Sequence, residues 1–164
     1  MTGAQIIAAE LKAAGVEVAF VFPGGTISRL LEALDDAGIR VIVCVNEAGC
    51  GHAAQGYWRV AGKLAAVVAT SGPGVTNCIT PMADAYYDRD SVVYLFGQVS
   101  TDQMGRGTRQ DGFQWTNTVA LTQPISVWTC EATRDVDGSA EASCHAARRR
   151  RGPAVVSLPA DLLK

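Results

Sequence analysis

One acidic side chain stands where an apolar run gives way to small residues. The stretch "VIVCVNEAGCGHAAQG" covers Val41 to Gly56, and Glu47 sits at the changeover. Burying a charge is costly unless it is paired and hydrogen-bonded. In an apolar, glycine-lined cleft, desolvation favours the protonated form of a carboxylate, which can then share a proton with a ring nitrogen. The plainer alternative is a helix N-terminal carboxylate, stabilised by the dipole and open to water. Its company decides for chemistry. Pro23-Gly24-Gly25 and Gly72-Pro73-Gly74 each follow another apolar run, and glycines let a ligand approach the backbone closely.

Other motifs carry less. Gly49-Cys50-Gly51-His52-Ala53-Ala54 matches the dinucleotide pattern G-x-G-x-x-A. That pattern wants an acidic residue about 20 positions on to hold the ribose. The next acidic residue after Glu47 is Asp84, too far along. Close helix–sheet packing explains the two glycines better. For Gly72-Pro73-Gly74 two readings stand: an anion at a helix N-terminus, or Pro73 as an ordinary first-turn residue. No Lys-Ser/Thr pair follows, so it is not a phosphate loop of the Walker type. Cys50 with His52, and Cys144 with His145, have no second pair at metal-ligand spacing, so no residue is assigned to a metal. Arg148–Arg151 suits the C-terminal end of a helix, where cations favour the dipole.

These residues need elements to hold them. Apolar runs recur at Val18–Phe22, Val41–Val45, Leu64–Ala69, Val92–Phe96 and Ala154–Leu158, with a weaker one at Ile125–Trp128. They do not alternate with polar residues, which is the pattern of strands covered on both faces of a parallel sheet. Between them Ile27, Leu30, Leu31 and Leu34 form an apolar stripe at helical spacing. Gly15 and Gly38 suit left-handed C-caps of the first two helices. The expected fold is α/β: one domain over residues 1–164, three layers, with helices on both faces of a mostly parallel sheet of about six strands. Ligands of such sheets bind at the carboxyl ends of the strands. The turns there are Phe22–Gly25, Asn46–Gly49, Thr70–Gly74 and Gly97–Ser100, and Glu47 is the sole acidic residue among them. The polar stretch Gln98–Trp115, with Gly105, Gly107 and Gly112, is expected to be a functional or mobile loop.

Composition closes off other classes. A net charge of −2 gives no sign of nucleic acid or an anionic membrane as partner. Hydrophobic residues at 48% and charged residues at 18% fit a globular domain. No run approaches the roughly 18 apolar residues of a membrane span. Glu10 and Lys12 break the first apolar stretch, so no signal peptide is expected. Five irregularly spaced cysteines without a CxxC fit reduced thiols in a cytoplasmic protein.

Five ordered motifs resemble a known family. "VFPGG", "NEAGCGHAAQGYWRVAG", "ATSGPGVTNCITPMADAYYD", "GFQW" and "RRGPAVVSLPADL" are similar to segments of the pyrimidine-binding, N-terminal domain of thiamine diphosphate enzymes. The acetolactate synthase group is the nearest in pattern. The resemblance implies that Glu47 hydrogen-bonds the aminopyrimidine ring of thiamine diphosphate and relays the proton that activates the cofactor toward a 2-keto acid. It further implies that Pro23, Gly24, Gly25, Pro73 and Asn77 lie against the cofactor. Gly25, Gln98, Phe113 and Gln114 would line the substrate side. The sequence departs from the family pattern at Gln55, Trp115 and Val127, where the family has two acidic residues and a lysine.

The resemblance implies partners too. Magnesium and the diphosphate would be held by a diphosphate-binding domain, and FAD is left open. The start at Met1 and the end at a linker-like position suggest one subunit of a split decarboxylase or carboligase. The expected assembly is an α2β2 hetero-oligomer, as in two-chain sulfopyruvate decarboxylases; a truncated chain would give the same length. The alternative is a non-catalytic regulatory or nucleotide-binding module that kept the fold.

Overall fold

The computed structural model describes residues 1–104 and 112–164. Gly105 and Gly107 of the polar stretch therefore lie outside the described residues. The elements alternate along the chain. Helix α1 (Gly3–Ala13) precedes strand β1 (Val18–Val21), then come α2 (Ser28–Asp36), β2 (Arg40–Val43), α3 (Glu47–Ala61) and β3 (Ala66–Ala69). Two short helices follow, α4 (Pro73–Asn77) and α5 (Ile79–Asp88), and lead into β4 (Val92–Gln98). The remainder is α6 (Thr118–Thr122), β5 (Trp128–Glu131), α7 (Ser139–Arg150) and β6 (Pro153–Pro159).

The six strands of the described residues form one parallel sheet in the order β2-β1-β3-β4-β6-β5. The expected sheet is thus found, and every pairing in it is parallel. Alternate side chains feed two cores. Ala19, Val21, Val68 and Val156 face α1, α2 and α7. Phe20, Val67, Tyr94 and Phe96 face the other layer, with Cys50 and Ala54 of α3 and Met82 of α5. Burial on both faces is why β1, β3, β4 and β6 read as continuous apolar runs.

Two expectations need correction. Ile125–Trp128 is not the strand. Pro124 opens a 3₁₀ turn that ends at Ile125, and pairing with β6 begins at Trp128 opposite Ala154. Strand β2 is not covered on both faces. It is an edge strand, and Val43 is 63% exposed. The glycine caps are as expected: Gly15 and Gly38 have φ of 77° and 71°. The arginines that end α7 are exposed but not idle. Arg148 donates to the Ala14 carbonyl, and Arg150 to that of Val127 at 2.8 Å.

The sheet reverses direction between β1 and β3. The chain goes from β1 outward to β2, then crosses over β1 by way of α3 to reach β3. The carboxyl ends of β1 and β3 therefore flank a topological switch point, the place where such sheets bind ligands. Pro23-Gly24-Gly25 follows β1, Glu47 follows β2, and Gly72-Pro73-Gly74 follows β3.

Candidate active site

Glu47 is the first residue of α3. Asn46 caps the helix, its side-chain oxygen accepting from the Gly49 amide at 2.7 Å. An Asn cap followed by an acidic first turn is a favoured start for a helix. Glu47 is only 6% exposed, so the dipole alone does not explain it. A second element supplies its partner. Asn77, the last residue of α4, donates from Nδ2 to Glu47 Oε2 at 3.0 Å. Beside it the Cys78 thiol donates to the Glu47 main-chain oxygen at 3.6 Å. Burial pushes the Cys78 thiol far up, with the Glu47 charge adding to it, so Cys78 stays protonated. Among the described residues Glu47 Oε1 accepts no hydrogen bond.

The glycine turns are built against each other. A Cβ on Gly24 would lie 2.5 Å from Thr70 Cβ, so the turn after β1 rests directly on the end of β3. Thr26 and Thr70 share a hydroxyl–hydroxyl hydrogen bond of 2.9 Å. A Cβ on Gly97 would meet Thr26 Oγ1 at 2.2 Å, which brings the end of β4 to the same place. Gly25, by contrast, has nothing within 4 Å of its Cβ position. The backbone there faces open space, as a surface for a ligand must. Gly72 has φ of +63°, and a Cβ there would come within 2.7 Å of the Gln114 carbonyl. The segment carrying Phe113 and Gln114 is thus seated on the turn after β3.

The expected residues fall into three groups. Glu47 and Asn77 meet directly. Pro23, Gly24, Gly25 and Pro73 line the same strand-end rim, with Pro23, Gly25 and Pro73 exposed. Phe113, 89% exposed, and Gln114 stand on the segment seated against Gly72. Gln98 is placed differently. It is fully buried, its Nε2 donating to the Thr116 carbonyl at 2.7 Å and to Thr118 Oγ1 at 3.4 Å. Its Oε1 accepts from the Val99 amide at 2.9 Å. Gln98 clamps the segment that follows Gln114. The two glycines of the dinucleotide-like motif have structural roles. A Cβ on Gly51 would lie 2.5 Å from Pro81 Cβ, and the Gly49 amide caps onto Asn46. Gln55 donates to the Pro81 carbonyl at 2.9 Å and joins α3 to α5.

Sequence reasoning missed Thr26, Thr70 and the pairing of Asn77 with Glu47. Asn46 carried a signal, as an Asn directly before a helix of small residues. Away from the rim, a cavity of about 540 Å³ lies between α1 and α7, lined by Glu10, Cys144, His145 and Arg148 among others. It does not include Glu47. Among the described residues no group of three or more His, Cys, Asp or Glu could hold a metal ion, and no helix is long and apolar enough to cross a membrane.

The fold and the site define a parallel α/β domain with its ligand edge at the switch point and a single buried carboxylate there. The family is more specific. The model described as "Thiamine pyrophosphate enzyme, N-terminal TPP binding domain" matches residues 1–121, and the chain belongs to that family. It is 37% identical over 165 residues to the acetolactate synthase large subunit of Lactococcus lactis subsp. lactis (strain IL1403), with 98% of this chain and 28% of the relative covered. It is 38% identical over 167 residues to the acetolactate synthase isozyme 2 large subunit of Escherichia coli (strain K12), covering 99% and 29%. The mitochondrial acetolactate synthase catalytic subunit of Saccharomyces cerevisiae (strain ATCC 204508 / S288c) is 35% identical over 167 residues, covering 99% and 24%. The chain thus spans between 24% and 29% of the length of these relatives.

Proposed function

We propose that this chain is the pyrimidine-binding part of a thiamine diphosphate-dependent enzyme acting on a 2-keto acid. The observation that carries the proposal is the buried Glu47 carboxylate, one oxygen held by Asn77 and the other unengaged among the described residues, at a rim where Gly25 leaves the backbone open. This donor set fits an aminopyrimidine: one carboxylate oxygen for a ring nitrogen, and glycine backbone against a flat ring. When bound, thiamine diphosphate supplies the carbanion chemistry.

The chain's own residues do the rest. Asn77 fixes the carboxylate by holding Oε2. Glu47 then holds or moves a proton at Oε1, toward the ring nitrogen. Pro23, Gly24, Gly25 and Pro73 form the wall of the ring site. Phe113 and Gln114 face the substrate, and Gln98 keeps their segment seated. A diphosphate-binding partner domain, in a split α2β2 assembly, holds magnesium and the diphosphate end. FAD stays outside the proposal.

The test is turnover of pyruvate with thiamine diphosphate and magnesium. The chain alone is expected to be inactive, and a diphosphate-binding partner to restore decarboxylation or carboligation. Glu47→Gln in the restored complex should lower kcat about 10²–10⁴-fold, the usual range for losing a general acid–base group. Turnover by the chain alone would refute the need for a partner. Full activity of Glu47→Gln would remove Glu47 from the chemistry.

A further inference from the structure

The two strand-end turns that flank the switch point are tied to each other by side chains at one place. The backbone pairing of β1 with β3 ends where the Phe22 amide donates to the Val68 carbonyl at 3.1 Å. Beyond that bond the chain runs through Pro23-Gly24-Gly25 on one side and Thr70–Pro73 on the other. Neither element that starts there, the 3₁₀ turn Gly25–Ile27 or helix α4, has a side-chain cap. Among the described residues one side-chain hydrogen bond joins the two turns, the 2.9 Å bond between the Thr26 and Thr70 hydroxyls. Both partners are closely seated. Thr70 is packed between a glycine of each turn: a Cβ on Gly24 would meet Thr70 Cβ at 2.5 Å, and one on Gly74 would meet Thr70 Cγ2 at 3.2 Å. Thr26 rests on the end of β4, where a Cβ on Gly97 would fall 2.2 Å from its Oγ1. Threonine is also stiff at its first side-chain torsion. An O–H···O bond spans about 2.5–3.0 Å, so turns that drift apart lose it.

We propose that Thr26 and Thr70 are positioning residues whose hydroxyl bridge sets the gap between Gly25 and Pro73 and, through that gap, the affinity for an aminopyrimidine ring, a role that rests on the ring site proposed above. Both act through the backbone. Thr26 directly follows Gly25, whose Cβ position faces open space, and Thr70 lies three residues before Pro73. The three glycines Gly24, Gly74 and Gly97 make the bridge possible, because a side chain at any of them would push a threonine out of its seat. The bridge thus joins the ends of β1, β3 and β4 into one rigid floor, and the cofactor wall keeps its shape before any ligand arrives. Preorganisation of this kind raises affinity by removing the cost of ordering the site on binding.

The test uses the full isotope-labelled chain and thiamine, which carries the aminopyrimidine without the diphosphate. NMR follows the amides of Gly24, Gly25 and Gly74. Thr26→Val keeps the shape of the side chain and removes its hydroxyl, and Thr70→Val does the same from the other side. Each should shift the amides of both turns and weaken thiamine binding about 2–10-fold, the worth of one neutral hydrogen bond. The double variant should bind no more weakly than either single one, because the bond is already gone. Thr26→Ser keeps the hydroxyl and should retain wild-type affinity. Should one valine variant not fold, the other carries the same readout. Valine variants that lose stability but bind thiamine like the wild type make the bridge structural only and overturn the proposal. Shifts confined to the substituted turn, or losses that multiply in the double variant, overturn it too. Glu47→Ala tests the ring site separately and should remove the thiamine-dependent shifts. A wild-type chain that does not bind thiamine, or binding that Glu47→Ala leaves unchanged, overturns the ring site and this proposal with it.

Discussion

Two glycines of α3, five positions apart, should respond to alanine with opposite signs. Gly51 faces α5 and the sheet. An added Cβ would lie 2.5 Å and 2.6 Å from Pro81 Cβ and Cγ, and 3.1 Å from Tyr94 Oη. The obstacles are a proline ring and a fully buried tyrosine, neither of which swings aside. Ordinary carbon–carbon contact needs about 3.5–4.0 Å, so α3 and α5 must separate by about 1 Å. Overpacking of this kind costs about 1–3 kcal/mol. Alanine returns about 1 kcal/mol in helix propensity, which leaves Gly51→Ala destabilised by up to about 2 kcal/mol. Gly56 is exposed with nothing within 4 Å of its Cβ position, so Gly56→Ala should gain about 0.5–1 kcal/mol. Urea unfolding followed by circular dichroism separates the two. With a slope of about 2 kcal/mol/M, Gly51→Ala should lower the midpoint by up to about 1 M, and Gly56→Ala should raise it by about 0.25–0.5 M. The same displacement reaches Glu47 four residues upstream. A misplacement of about 1 Å can cost about 10²-fold in turnover, so Gly51→Ala should lose activity beyond what its unfolded fraction explains. If both variants gain stability alike, helix propensity governs α3, and the account of close packing at Gly51 is wrong.

Asn77→Ala removes the sole side-chain donor to Glu47 among the described residues. A hydrogen bond to a charged group is worth about 1.5–3 kcal/mol, so turnover in the partner complex should fall about 10–150-fold. Asn77 is exposed, so the melting temperature should move little. Gln98→Leu leaves the buried Val99 amide without its acceptor and removes one donor each from the Thr116 carbonyl and Thr118 Oγ1, which still bond to each other, and should cost about 1–3 kcal/mol in urea unfolding. An unchanged midpoint would show that Gln98 is no clamp. Asp161 supplies a pH dependence. Burial alone would raise its carboxyl, but the Thr101 hydroxyl and amide, bonded at 2.6 Å and 2.9 Å, outweigh that and hold it below its ordinary 3.8. A carboxyl lowered on folding stabilises fully above its unfolded value and loses that contribution as pH falls through the folded one. The Thr101 amide should therefore exchange faster with solvent only below about pH 4, and protection that fades near pH 5 would contradict the assignment.

What the sequence disclosed depended on whether a feature was local. Strands β1, β3, β4 and β6 stood out because both faces are buried, and a doubly covered strand has no polar face to interrupt it. The same rule misled at β5. Ile125-Ser126-Val127-Trp128 is apolar enough for a strand, yet Pro124 fixes a 3₁₀ turn and delays pairing to Trp128. The exposure of β2 was hidden because edge position is a property of the sheet order. Glu47 was legible as the only acid among the strand-end turns. Its partner was not, since Asn77 reaches it only because β3 lies two strands from β2 and α3 crosses between them. Gln98 shows the limit most plainly. A polar residue at a strand's carboxyl end suggests a ligand contact, but its amide is consumed by a segment about 20 residues further on.

The strand order also sets a schedule for biosynthesis. The Glu47–Asn77 pair is built from β1, β2, β3, the helices between them and α4, which directly follows β3, all joined by short-range crossovers. That half of the sheet can assemble while translation continues. The other half cannot. Among the described residues β5 pairs only with β6, and β4 has an open side until β6, which follows both in the chain, inserts between them. The nascent chain must therefore carry the unpaired edge of β4, "VVYLFGQ", for more than fifty residues of synthesis. An apolar open edge is the kind of surface that other chains join. Poor yields of this domain should thus trace to the late closure of β6 and respond to slower translation or chaperone supply, with the elements that carry Glu47 and Asn77 already made.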